Sequence, residues 1–136
     1  MNEYLKELST SMHYIKHDVQ DKTMRIFCEQ SPIEGKPVHS RKIRVVKDIP
    51  YGDYKVELHL LTKKYFNDDQ TISKKTIAES YDFINETGRR TKRLDAYLLR
   101  LNQEMSTIGL ERLIRKQIAD VSDTTILRIA KKNIKN

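Results

Sequence analysis

The chain has one cysteine, no tryptophan, three prolines and four glycines in 136 residues. A lone thiol, Cys28, can close no intramolecular disulfide and anchor no cysteine-rich zinc site, because both need partners. Without tryptophan, a core must rest on Leu, Ile, Val, Tyr and a few Phe and Met. Long apolar runs are also missing: no window approaches the roughly 18 to 20 residues of a membrane span, and the opening MNEYLKELSTSMHYIKHDVQ lacks a signal peptide's apolar middle. Ser11, Ser40 and Ser80 have no glycine context for a nucleophile, and no phosphate-cradling glycine loop occurs. The expectation is a cytoplasmic protein with no membrane attachment, no cofactor, no metal and no catalytic activity. The length suits one domain, or two small ones sharing a core.

What the chain does have is charge, unevenly placed. The formal net charge is +7, yet residues 1–87 carry 14 Lys/Arg against 14 Asp/Glu. Residues 88–136 carry 12 against 5, so the whole excess lies in the last third. A local excess of this kind is expected of a surface that neutralises phosphates and releases their counterions. The plainer alternative is a solvated helical surface.

Residues 1–87 read as a β-rich region. HYIKHDV and KTMRIFCE form two runs with β-branched and aromatic residues around the turn QD, and SPIEGKP is a loop. SRKIRVVKDI and DYKVELHLLTKKYF flank a turn at PYG. In YKVELHL, Val56, Leu58 and Leu60 alternate with Lys55, Glu57 and His59, which is the pattern of a half-buried strand. NDDQTISKK is a polar loop, and TIAESYDFINETG reads as a short strand or a short helix.

From Arg89 the period lengthens. Leu94, Leu98, Leu101 and Met105 fall on one helical stripe, and Leu110, Leu113, Ile114 and Ile118 on a second. After the connection ADVS, a third helix over 122–134 begins with Ser122 as N-cap and Asp123 in its first turn. Three short helices with a four-residue turn between the last two outline a helix-turn-helix, so the expected fold is α+β: antiparallel hairpins, then a three-helix unit over residues 88–136. Such a unit lays its last helix in the major groove of double-stranded DNA. Asp123, Thr124, Thr125 and Arg128 are then the candidates for base edges, and Lys131 and Lys132 for phosphates. Arg89, Arg90, Lys92 and Arg93 in GRRTKRL are candidates for the backbone or the minor groove, or else keep a linker soluble.

In order and spacing, VHSRKIRVVKDIPYG, KKTIAES, RRTKRLDAYLLRL and VSDTTILRIAKK resemble the zinc-ribbon and helix-turn-helix region of the ISL-three insertion-sequence transposases, from about residue 13 onward. The resemblance implies a bacterial DNA-recognition region taking part in transposition, with sequence-specific recognition of a repeat end or operator as the further expectation. The family's four ribbon cysteines correspond to Ser31, Glu34, Asn67 and Ile72, which implies a ribbon without zinc. The family's catalytic domain would follow the helix-turn-helix, and this sequence ends there, so strand-transfer chemistry is not expected.

Other readings stay open. The helices could form a protein-interaction or dimerisation surface, and a homodimer is compatible with either use. The chain could instead hold RNA or single strands through Tyr51, Tyr54 and Tyr65 with neighbouring lysines. His13 and His17 stand four apart, but their segment reads as strand and no third metal ligand is evident. The cysteine replacements make one prediction: metal analysis of chelator-free protein finds no stoichiometric zinc, and one tightly bound zinc per chain would contradict it.

Overall fold

The computed structural model describes residues 1–67 and 75–104, together with Gly109, Arg112 and Arg115. Asp21 and Lys22 take φ of 51° and 62°, the left-handed pair that a tight two-residue hairpin turn requires. They join β1 (Met12–Gln20) to β2 (Thr23–Gln30), one residue later than the sequence placed the turn. The loop 31–37 then leads to β3 (Val38–Tyr51), which returns as β4 (Tyr54–Phe66) across Gly52, whose φ is 59°. A last short strand, β5 (Thr76–Ala78), pairs with the far end of β4.

The strands form one mixed sheet in the order β1-β2-β4-β3, so the hairpin's second strand lies between β2 and β3. As a result β2 and β4 run parallel, in register from Thr23 opposite Lys55 to Cys28 opposite Leu60. This corrects the expected architecture. The antiparallel hairpins exist, but they share one mixed sheet. Among the described residues strand predominates, there are two helices, and only α2 (Lys92–Glu104) exceeds five residues, against α1 (Asn2–Lys6). No three-helix unit stands among them. The second and third helices of the sequence reading, including 122–134, lie outside the described residues apart from Gly109, Arg112 and Arg115.

One face of the sheet builds the core. Met24, Ile26 and Cys28 of β2, Val46 of β3 and Val56, Leu58 and Leu60 of β4 cluster with Leu5 of α1 and with Tyr81, Phe83 and Ile84. Every described member of this cluster belongs to residues 1–84. The helical stripe is also seen: Leu94 and Leu98 are fully buried and Leu101 is half-buried, while Met105 lies outside the described residues. No described helix is long and apolar enough to cross a membrane.

Cys28 lies at the centre of this core, and burial, helped by the charge of Asp48, pushes its thiol up to about 12. A raised value means that the neutral thiol is the folded form. The stability it contributes is complete below the ordinary value of 9.0 and is lost as pH rises through about 12. At pH 8 an aromatic disulfide reagent therefore leaves the native thiol untouched, and in urea the thiol becomes reactive at the unfolding midpoint. Reaction of the native protein at the rate of a free thiol would contradict this.

Candidate nucleic-acid interface

The basic run 89–93 is positioned by a buried carboxylate. Asp48 of β3 lies on the same face as Val46 and has no exposure, so its charge must be matched by hydrogen bonds and an opposite charge. Its Oδ1 accepts from Thr91 Oγ1 at 2.6 Å, Arg93 Nε at 2.9 Å and the Ile49 N–H at 2.8 Å, and its Oδ2 accepts from Arg93 Nη2 at 2.5 Å. The same guanidinium donates to the Tyr4 carbonyl at 3.1 Å and lies 4.3 Å over the Tyr4 ring. Tyr4 in turn donates its hydroxyl to the Ile49 carbonyl at 2.6 Å. One acid thus ties α1, β3 and the first turn of α2 together. Burial alone would lower the Arg93 pKa, but the Asp48 hydrogen bonds and charge outweigh it and hold the value above the ordinary one. Burial, with the Asp48 charge, likewise pushes the Tyr4 hydroxyl well above its usual range.

Residues 89–91 lie along the outer edge of β3. The Lys47 N–H donates to the Arg89 carbonyl at 2.9 Å, and the Thr91 N–H to the Lys47 carbonyl at 3.0 Å. Thr91 then caps α2, accepting the Leu94 N–H on its hydroxyl at 3.2 Å. Asp95, in the first turn, takes Arg90 Nε at 2.7 Å and Asn85 Nδ2 at 2.9 Å. The four cations therefore divide. Arg90 and Arg93 are held inward by carboxylates, while Arg89 and Lys92 are exposed and have no ion pair among the described residues.

Gly88 sets the corner, with φ of 73°. Arg44 Nη2 donates to its carbonyl at 3.3 Å, and a Cβ at this position would come within 2.5 Å of that same nitrogen. Glycine permits both the left-handed turn and the close approach.

The remaining candidates for DNA contact, Ser122, Asp123, Thr124, Thr125, Arg128, Lys131 and Lys132, lie outside the described residues. The three tyrosines proposed to stack bases do not converge. Tyr51 and Tyr54 are 40% and 38% exposed at one end of the β3–β4 hairpin. Tyr65 is eleven residues beyond Tyr54 on β4, about 36 Å at strand rise, is 3% exposed, and its hydroxyl accepts the Ile33 N–H at 3.1 Å.

Because β2 and β4 are parallel, the loops after them leave from the same end of the sheet, which puts Ser31 and Glu34 at the same end as Asn67. Ile72 lies outside the described residues. Ser31 bonds His13 and donates to the Ser11 carbonyl at 3.2 Å, and the Asn67 N–H bonds the Lys75 carbonyl at 2.9 Å. These hydroxyl, carboxylate and amide groups do not make a zinc donor set, and no group of three or more His, Cys, Asp or Glu gathers among the described residues.

A second buried charge was not visible in the sequence. Lys63 is 1% exposed, and its Nζ donates to the Gln30 carbonyl and lies 3.7 Å from Glu29 and 3.6 Å from Glu79. Glu79 Oε1 accepts the Lys63 N–H at 3.3 Å and the Tyr81 hydroxyl at 2.8 Å. Asp82 is exposed, but Glu79 fills the seam where β4 passes from β2 to β5.

No family model matches the chain, and neither a curated protein nor a solved structure matches it.

The inward and outward cations differ in what they hold. Arg93→Met strands a buried carboxylate and lowers stability by about 3 to 5 kcal/mol in urea unfolding. Arg89→Ala leaves the urea midpoint essentially where it was. Equal midpoints for wild type and Arg93→Met would contradict this division.

Proposed function

We propose that the chain binds double-stranded DNA without chemistry of its own, using the basic surface that starts at the corner before α2. One observation carries the reading: the run 89–93 keeps two cations as internal locks and directs two, Arg89 and Lys92, to solvent from a rigid mount. A solubilising linker needs no such mount. The charge excess of residues 88–136 supports the same reading, since it supplies further cations beyond this corner. Within the proposal Thr124, Thr125 and Arg128 are assigned to bases and Lys131 and Lys132 to phosphates, in a cytoplasmic setting. Kinship with the recognition end of a transposase is part of the proposal and is supported by Ser31 and Glu34 lying at the same end of the sheet as Asn67.

A protein-contact reading is favoured by a separate feature, the 51% and 47% exposure of Ile43 and Val45 on the face away from the core. One titration separates the two. Fluorescence anisotropy with a labelled duplex at several salt concentrations gives an affinity falling linearly with log salt, and Arg89→Ala or Lys92→Ala each lowers the slope by about 0.9. Salt-independent self-association with no duplex affinity would overturn DNA binding.

A further inference from the structure

We infer that the sheet carries a second part of the DNA footprint, a groove in which Lys42, Arg44 and Lys64 hold backbone phosphates. The inference rests on the DNA-binding reading and extends it from the α2 corner onto the β region.

The groove follows from register. Lys42 is opposite Thr62, Arg44 opposite Leu60 and Ser40 opposite Lys64, so Lys42, Arg44, Thr62 and Lys64 share the core-side face, towards the end of the sheet where β4 meets β5. Lys42 and Arg44, two residues apart on one strand, stand about 6.7 Å apart, and Lys64 lies diagonal to Lys42 at about 7 to 8 Å. Together with Ile43, Ala78 and Glu79 they line a concave space of about 270 Å³. Lys42 and Lys64 are exposed and Arg44 is half-exposed, and none of the three has an ion pair among the described residues.

The one acid in the groove does not cancel them. Glu79 is buried at its edge, with Lys63 Nζ 3.6 Å from its Oε2. Lys63, which also lies 3.7 Å from Glu29, offsets part of this charge from within the sheet, and the carboxylate stands against three cations at the groove.

The opposite face shows what ordinary charge placement looks like in this sheet. There Lys47, Glu57, Arg25 and Asp18 line up across β3, β4, β2 and β1 with alternating sign, and Arg25 meets Asp18 at 2.7 Å and 2.8 Å. A solvated face intersperses signs in this way. Among the described residues that line the groove, the exposed charged side chains are all cationic, the arrangement that suits a polyanion.

The groove is also continuous with the α2 corner. The Arg44 guanidinium donates to the Gly88 carbonyl, and Arg89 follows directly, so one backbone strand can pass from Arg89 and Lys92 across Arg44 to Lys42 and Lys64. A duplex fits better than a single strand, because the described aromatic side chains Tyr51, Tyr54 and Tyr65 do not line this groove.

The test uses the full chain, a labelled duplex and a salt series, with Lys42→Gln/Lys64→Gln and, as a control on the other face, Lys16→Gln. Thermal melts first establish that each variant folds as wild type does. The inference predicts that the double variant lowers the salt slope by about 1.8 and weakens every duplex sequence alike, that Lys42→Arg/Lys64→Arg restores the slope, and that Lys16→Gln leaves it unchanged. A wild-type slope in the double variant would overturn the groove while leaving DNA binding at the α2 corner standing. Equal displacement by single-stranded DNA or RNA competitors would overturn the duplex assignment. Absence of duplex binding by the wild type would remove the underlying reading itself.

Discussion

A carboxylate with no exposure must be matched where it lies, and Asp48 imposes that requirement on three parts of the chain. Its two oxygens take up the side chains of Thr91 and Arg93, and through Arg93 the Tyr4 backbone and ring are drawn onto the same spot. The N-terminal segment, too short for a stable helix of its own, is held by this contact and by burial of Leu5. The start of α2 is likewise fixed by the acid that accepts its N-cap side chain. Residues 89–91 run along β3 before the helix begins, with Arg90 turned to Asp95 and Thr91 to Asp48, and the exposed positions fall to Arg89 and Lys92. The cationic corner is thus a consequence of satisfying one internal charge.

The second organising element is β4. It pairs with β3 along one edge and with β2 and then β5 along the other, so the whole sheet is assembled on it. Where the second edge changes partner, backbone groups would be left without a ladder. The Glu79 carboxylate accepts the Lys63 N–H there, and the Glu79 N–H donates to the Lys63 carbonyl at 2.8 Å. A core among the described residues 1–84, the bond between Tyr65 and Ile33, and this seam together hold that end of the sheet.

Much of this was legible in the sequence where a single face decides the pattern. Val56, Leu58 and Leu60 alternated and are buried, and Leu94 and Leu98 fell at helical spacing and are buried. Alternation reports which face a residue takes, not which strand lies beside it, so the parallel pairing of β2 with β4 and the single mixed sheet were hidden. Asp48 did hold the inward parity set by Val46, a signal masked by its being a charged residue. Lys63 and Glu79 looked like surface charges because their partners are distant in sequence. The basic run was legible as cations, but its division into locks and outward groups depends on Asp48 and Asp95, which sequence spacing alone could not connect to it.

The most direct measurement is a double-mutant cycle in urea on the full chain, comparing wild type, Asp48→Asn, Arg93→Met and the combined variant. If the pair is the interaction on which the corner depends, removing either partner costs nearly as much as removing both, with a coupling energy of about 2 to 3 kcal/mol. Losses that simply add, with coupling near zero, would show that Asp48 and Arg93 act independently and would contradict the account.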